Sequence, residues 1–189
     1  VKFGIKEKYL VLYFGRINKA KGIEFLIQSF YFLVKENDDA FLLIIGPDEG
    51  YIPEIKKILK KFNLEKKVLI IDNYIENPSE IYYNADILVY PAWFEIFGLI
   101  PFEALLCGTP IIVAEDCGCG EYVKQGECGL LVKYGDINDL KEKMKFLIEN
   151  PEIRMRLVQS GQKFVTGNLT WKNAITKFEN TYENSIESS

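Results

Sequence analysis

Short, near-continuous apolar runs alternate with longer stretches in which apolar residues are spaced for a helix. The runs are YLVLYF at 9–14, AFLLIIG at 40–46, KVLIID at 67–72, DILVYP at 86–91, TPIIVAE at 109–115 and GLLVK at 129–133. Runs without polar alternation suit strands covered on both faces, as in a parallel sheet. Helices are predicted between them, at 21–35, 51–62, 78–84, 100–107, 119–124 and 136–149. In the first, Ile23, Leu26, Ile27, Phe30 and Leu33 or Val34 form one stripe. Phe25 and Phe32 fall off it, which predicts a helix buried on more than one side. Alternation of this kind builds βαβ units. The predicted fold class is therefore α/β, a Rossmann-like, doubly wound, six-stranded parallel sheet. Beyond residue 150 the strands stop, and two or three helices close the chain. Residues 1–8 read as a linker, 9–184 as a single domain and 185–189 as a fraying tail.

A doubly wound sheet binds ligands outside the carboxyl ends of its strands, where the strand order reverses. In the order 3-2-1-4-5-6, strands 1 and 4 are neighbours at that reversal. The loops that follow them are thereby nominated before any motif is considered. The first reads FGRINKAKGIEF and holds Gly15, Arg16, Lys19, Lys21 and Gly22. Gly15 permits a sharp turn off the strand. Arg16 can present a forked pair of donors to phosphate oxygens. Lys21 sits where the first helix is predicted to begin, so its ammonium and the helix N-terminus favour the same anion. The second loop reads YPAWFEIFGLIPFEALLCGTP. Pro101 suits a first helical turn. It would place Glu103 in that turn, with Glu95 in the loop above. Carboxylates accept the hydroxyl pairs of a ribose or hexose, and Gly98 allows close backbone approach. Taken singly, each feature also fits an ordinary solvated side chain, and the dipole alone favours Glu103 in a first turn.

Composition narrows the picture. The chain has 189 residues, 23 Lys+Arg against 27 Asp+Glu and a formal charge of -4. That balance argues against a broad nucleic-acid face and leaves room for a local diphosphate clamp. No stretch approaches the ~20 apolar residues of a membrane span. The start, VKFGIKEKYLV, lacks signal-peptide architecture and an initiator Met, and reads as part of a longer protein. Cys107, Cys117, Cys119 and Cys128 match no C-x-x-C metal pattern. They are expected to be buried, reduced thiols of a cytoplasmic protein. There is no histidine to act as a general base, and no D-x-D motif, so no metal site is expected.

The strings GR-x4-KG and E-x-FG-x4-E-A-x2-CG-x-P (Arg16 to Pro110) resemble the retaining glycosyltransferases of GT-B fold, glycosyl transferases group 1 or family 4 type. GEYVKQGECGLLVKYGDINDL is similar to a further family stretch, and LTWKNAITKFENTY to its Trp-led closing helix. The resemblance covers about residues 8–184. It implies the donor-binding half of a mannosyl- or glucosyltransferase, with a separate N-terminal acceptor domain as its partner. No tightly bound cofactor is implied, only a UDP-, GDP- or ADP-linked sugar as substrate. By resemblance, Arg16 and Lys21 beside Gly15 contact the diphosphate, and Glu103 takes the ribose. Glu95, with the N–H groups around Phe97, Gly98 and Leu99, addresses the sugar and phosphates. The base rests near Tyr74 and Ile75. Catalysis falls to Glu95, Arg16 and Lys21, without a metal. Two departures stand out: IIDNYIENPSE replaces the family's usual FLG entry, and CGCGE replaces GG-x-P-E, which reshapes the pocket wall near Glu121. A GT-B epimerase or a non-catalytic nucleotide-binding module remains open. A lipid-linked acceptor would bring the whole protein to a membrane surface.

Overall fold

The computed structural model describes residue 5 and residues 7–187. Most of the predicted linker and the last two residues of the predicted tail lie outside or at the edge of that range. Six parallel strands form one sheet of order β3-β2-β1-β4-β5-β6. They are β1 Tyr9–Phe14, β2 Ala40–Ile45, β3 Val68–Ile71, β4 Ile87–Tyr90, β5 Ile111–Ala114 and β6 Leu130–Val132. The predicted doubly wound, Rossmann-like α/β architecture is the one observed. In register, Val11 of β1 faces Leu42 of β2 on one side and Ile87 of β4 on the other. All six residues of β2 are buried, which is why its run lacks polar alternation.

The helices are α1 Ile23–Glu36, α2 Ile52–Phe62, α3 Ser79–Asn84, α4 Ile100–Leu106, α5 Gly118–Gly126, α6 Ile137–Glu149, α7 Pro151–Asn168 and α8 Trp171–Glu187. They make two apolar layers. Leu26, Ile27, Phe30 and Leu33 of α1, Ile55 and Leu59 of α2 and Leu140, Met144 and Leu147 of α6 cover one face. Ile81 and Tyr82 of α3, Phe102 and Leu105 of α4 and Cys119 and Val123 of α5 cover the other. No described helix is long and apolar enough to cross a membrane.

Beyond trimmed strand ends, two boundaries and one buried face differ from the sequence reading, each for a local reason. Residues Lys19–Lys21 form a separate 3-10 turn, and Gly22, at φ 71°, divides it from α1. A Cβ on Gly22 would lie 2.0 Å from the Pro91 carbonyl oxygen, so only glycine lets this turn meet the end of β4. The strand predicted from 109 starts at Ile111. Thr109 belongs instead to the turn after α4, with its N–H on the Ala104 carbonyl and its hydroxyl on the Tyr82 carbonyl. Off the α1 stripe, Phe25 is buried and stacks edge-on to Tyr134. Phe32 is exposed, so the expected second buried side extends only to Phe25.

Candidate functional site

The carboxyl ends of β1 and β4 open into a cavity of about 480 Å³. Arg16 and Lys21 reach it from the first nominated loop, and Tyr90, Glu95 and residues 96–100 from the second. The loops are stitched together. Trp93 donates its N–H to the Ala20 carbonyl at 3.2 Å and its indole Nε1 to the Lys19 carbonyl at 3.3 Å. Gly15, at φ 138°, turns the chain off β1; a Cβ there would press on Ile100 Cδ1 at 3.2 Å.

At the centre, Lys21 Nζ lies 2.6 Å from Glu95 Oε2. The Tyr90 hydroxyl donates to the same oxygen at 2.7 Å, and the Ile96 N–H to Oε1 at 3.1 Å. Lys21 is only 6% exposed, an uncommon burial for an ammonium, and Glu95 is what makes it tolerable. Burial alone would raise the Glu95 carboxyl, but the bonds from Lys21 and Tyr90 outweigh it and hold the group below the usual carboxylate range. Burial, and then the bond to Glu95, push the Tyr90 phenol far up, so it remains a donor. Arg16 is more open. Its Nη1 donates to Glu49 Oε1 at 2.7 Å, with the Arg16 side chain 60% exposed.

The Glu95–Leu99 segment rests on the Cys-rich turn. Gly118 donates its N–H to the Glu95 carbonyl at 2.9 Å, and a Cβ on Gly118 would fall 1.7 Å from the Ile96 carbonyl oxygen. Gly98, at φ 78°, has Tyr90, Glu95 and the Cys119 sulfur around its missing Cβ. The wall altered by CGCGE is therefore the backing of this loop, while Glu121 itself is exposed. All four cysteines are free thiols; three are buried and Cys107 is half-buried. Among the described residues, no three Cys, Asp or Glu side chains gather as a metal site.

The cavity thus brings together Arg16, Lys21, Glu95, Phe97, Gly98 and Leu99. Four expected residues stand apart from its lining: Gly15, which turns the chain off β1 behind Arg16, and Tyr74, Ile75 and Glu103. Tyr74 is exposed and Ile75 half-buried. Glu103 occupies the first turn of α4 as expected, but it is exposed and accepts a bond from the buried Tyr82 hydroxyl at 3.1 Å. Tyr90, Tyr82, Asn18 and Glu49 escaped the sequence reading. Tyr90 carries a faint signal, as a residue with a polar tip inside an apolar run, which Tyr13 shares. Glu49 follows β2, in a loop the strand-reversal rule does not nominate.

The family of glycosyl transferases group 1 matches residues 1–164. The chain belongs to that family. Among relatives, it is 28% identical over 187 residues to the capsular polysaccharide biosynthesis glycosyltransferase CapM of Staphylococcus aureus, covering 98% of this chain and 48% of that one. The C-terminal domain of the group 1 glycosyltransferase LpcC from Francisella tularensis superposes with a TM-score of 0.77 at 27% identity, covering 89% of each chain. Anabaena HepE, solved with UDP-glucose, shares the fold with a TM-score of 0.81 at 20% identity, over 98% of this chain and 50% of that one. The chain spans about half the length of the curated relatives it matches. In this chain, both motif-bearing loops converge on the cavity just described.

Proposed function

We propose that this chain is the donor-binding half of a retaining hexosyltransferase, and that the cavity between β1 and β4 takes a nucleoside-diphospho-sugar. One observation carries the reading: Arg16 and Lys21 flank a glycine-backed loop and Glu95, at the reversal point of a doubly wound sheet. A cation at the rim (Arg16) and one at the centre (Lys21) suit the diphosphate. Lys21 would exchange its bond to Glu95 for a phosphate oxygen, freeing Glu95 to accept sugar hydroxyls. Glu103 has unused lone pairs for the ribose, and the base extends toward Tyr74 and Ile75. Binding of UDP-glucose by a protein of the same fold supports a nucleotide-sugar ligand; the sugar here is taken to be mannosyl or glucosyl.

In the transfer, the bond between the anomeric carbon and the diphosphate oxygen breaks, and the leaving oxygen keeps the electron pair. Arg16 and Lys21 neutralise the charge that builds there, which is the largest demand of such a reaction. The acceptor hydroxyl attacks from the same face, its proton passes to the departing phosphate, and configuration is retained. Neither Glu95 nor a metal is a reactant; Glu95 positions the sugar. The acceptor is held by an N-terminal domain, at the cytoplasmic side. The reading is tested on the protein that carries this chain with such a domain, by assaying transfer from UDP-, GDP- and ADP-hexoses. Glu95→Ala and Arg16→Ala should each abolish transfer with the circular dichroism spectrum unchanged. An epimerised sugar nucleotide without transfer would contradict it.

A further inference from the structure

Arg16 is held by a device on a neighbouring loop. Its Nη1 bonds to Glu49 Oε1 at 2.7 Å, and Asn18 Nδ2 bonds to Glu49 Oε2 at 2.6 Å. One loop therefore engages both carboxylate oxygens through two different residues. The Glu49 backbone is fixed as well. Its N–H donates to the Ile17 carbonyl at 3.0 Å, and the Ile17 N–H donates to the Pro47 carbonyl at 2.8 Å. Ile17 and Asp48 add a parallel bridge beyond the ends of β1 and β2. Asp48 Oδ1 then accepts the N–H groups of Tyr51 and Ile52, tying the segment to the start of α2.

Stability is a poor reason for this arrangement, because exposed ion pairs contribute about 0–1 kcal/mol. The Asn18 amide donates to Glu49 while its Oδ1 is buried with no protein hydrogen-bond partner among the described residues. That amide takes the second carboxylate oxygen of Glu49, Arg16 gives Glu49 only its Nη1, and most of the five donors of the guanidinium stay unspent.

We propose that Glu49, oriented by Asn18, is a positioning residue for Arg16. It holds the guanidinium at the cavity rim with its remaining donors presented to a diphosphate. The proposal rests on the reading of the cavity as a nucleoside-diphosphate site. Bound ligand meets an arginine already ordered, which saves the freezing of one long side chain.

The test is calorimetric titration of this chain with UDP, GDP and ADP. Glu49→Ala should weaken binding of the preferred nucleotide roughly threefold to tenfold, the effect of immobilising one long side chain. Glu49→Gln keeps an acceptor for Arg16 and should stay within about twofold of wild type, since the neutral hydrogen bond preserves the geometry. In an Arg16→Ala background, Glu49→Ala should change nothing further, because the cycle isolates their coupling. Tighter binding by Glu49→Ala would make Glu49 a competitor and overturn the proposal. Equal weakening with and without Arg16 would overturn it in favour of a purely structural role. Wild-type binding with no loss in Arg16→Ala would remove the diphosphate reading and this proposal together.

Discussion

Lys21 and Glu95 concentrate the electrostatics of the site in one ion pair, with side-chain exposures of 8% and 21%. Removing one partner of a pair this deep strands the other. Lys21→Met should destabilise the chain by about 1–3 kcal/mol in urea denaturation, below the full penalty for a buried pair because Glu95 keeps some water and the Tyr90 bond. Acidity reads the same pair. Burial opposes ionisation of Glu95, yet Lys21 and Tyr90 depress its carboxyl below its unfolded value. Its stabilisation is therefore complete above the unfolded carboxylate range and lost as pH falls through the lower folded value. Stability should be insensitive to this pair from about pH 5 upward and should fall below about pH 4. Glu95→Gln should flatten that acid limb in denaturation midpoints taken across the range. A limb of unchanged steepness would mean that Glu95 is not held below its normal range. Gly118 is the third telling residue. A methyl there meets the Ile96 carbonyl at 1.7 Å, so Gly118→Ala should displace the loop of Glu95 and Gly98. Overpacking of this kind costs about 1–3 kcal/mol, read as a lower thermal midpoint together with weaker nucleotide binding.

At the scale of elements, the strands were legible because both faces of the sheet are covered, so each strand is an apolar run. β1 matches its predicted bounds, and the other five lose only their terminal residues. The strand order supposed for a doubly wound sheet is the one observed, and the two loops it nominates line one cavity. Legibility stopped where a residue's partner is distant in sequence. Glu49 meets Arg16 only through the register that pairs Ile17 with Asp48, and Tyr82 meets Glu103 only because α3 packs on α4. Pattern and spacing carry no record of such contacts. The 3-10 turn at Lys19–Lys21 was hidden for another reason: Lys21 and Gly22 read as the start of one continuous helix. Gly22→Ala tests that turn. A side chain there combines φ 71° with a 2.0 Å clash on Pro91, so the turn should shift away from β4 and carry Lys21 off Glu95. The expected result is a midpoint several degrees lower, since each kcal/mol moves a domain of this size by about 2–4 °C.

Across the whole molecule, two apolar layers clamp one sheet, and the chemistry gathers at one end of it. Beside the cavity lie Trp93 and Phe94, 48% and 64% exposed, and α8 carries Trp171, Ile175, Phe178 and Tyr182 outward. These four recur at helical spacing as an exposed apolar stripe, of which Trp171 and Phe178 line a groove with Phe97, Leu99 and Tyr122. The proposed N-terminal domain would cover this surface, and attaching it should move the tryptophan emission to shorter wavelength. The site itself can be judged without that domain. The most direct measurement is the thermal midpoint of this chain with UDP, GDP, ADP and their hexose conjugates, beside the Arg16→Ala/Lys21→Ala double variant. A ligand at a hundred times its Kd adds about 2.7 kcal/mol, so at least one nucleotide should raise the wild-type midpoint saturably and leave the double variant unmoved. No rise with any nucleotide, or an equal rise in the double variant, would contradict the assignment of the cavity to a nucleoside diphosphate.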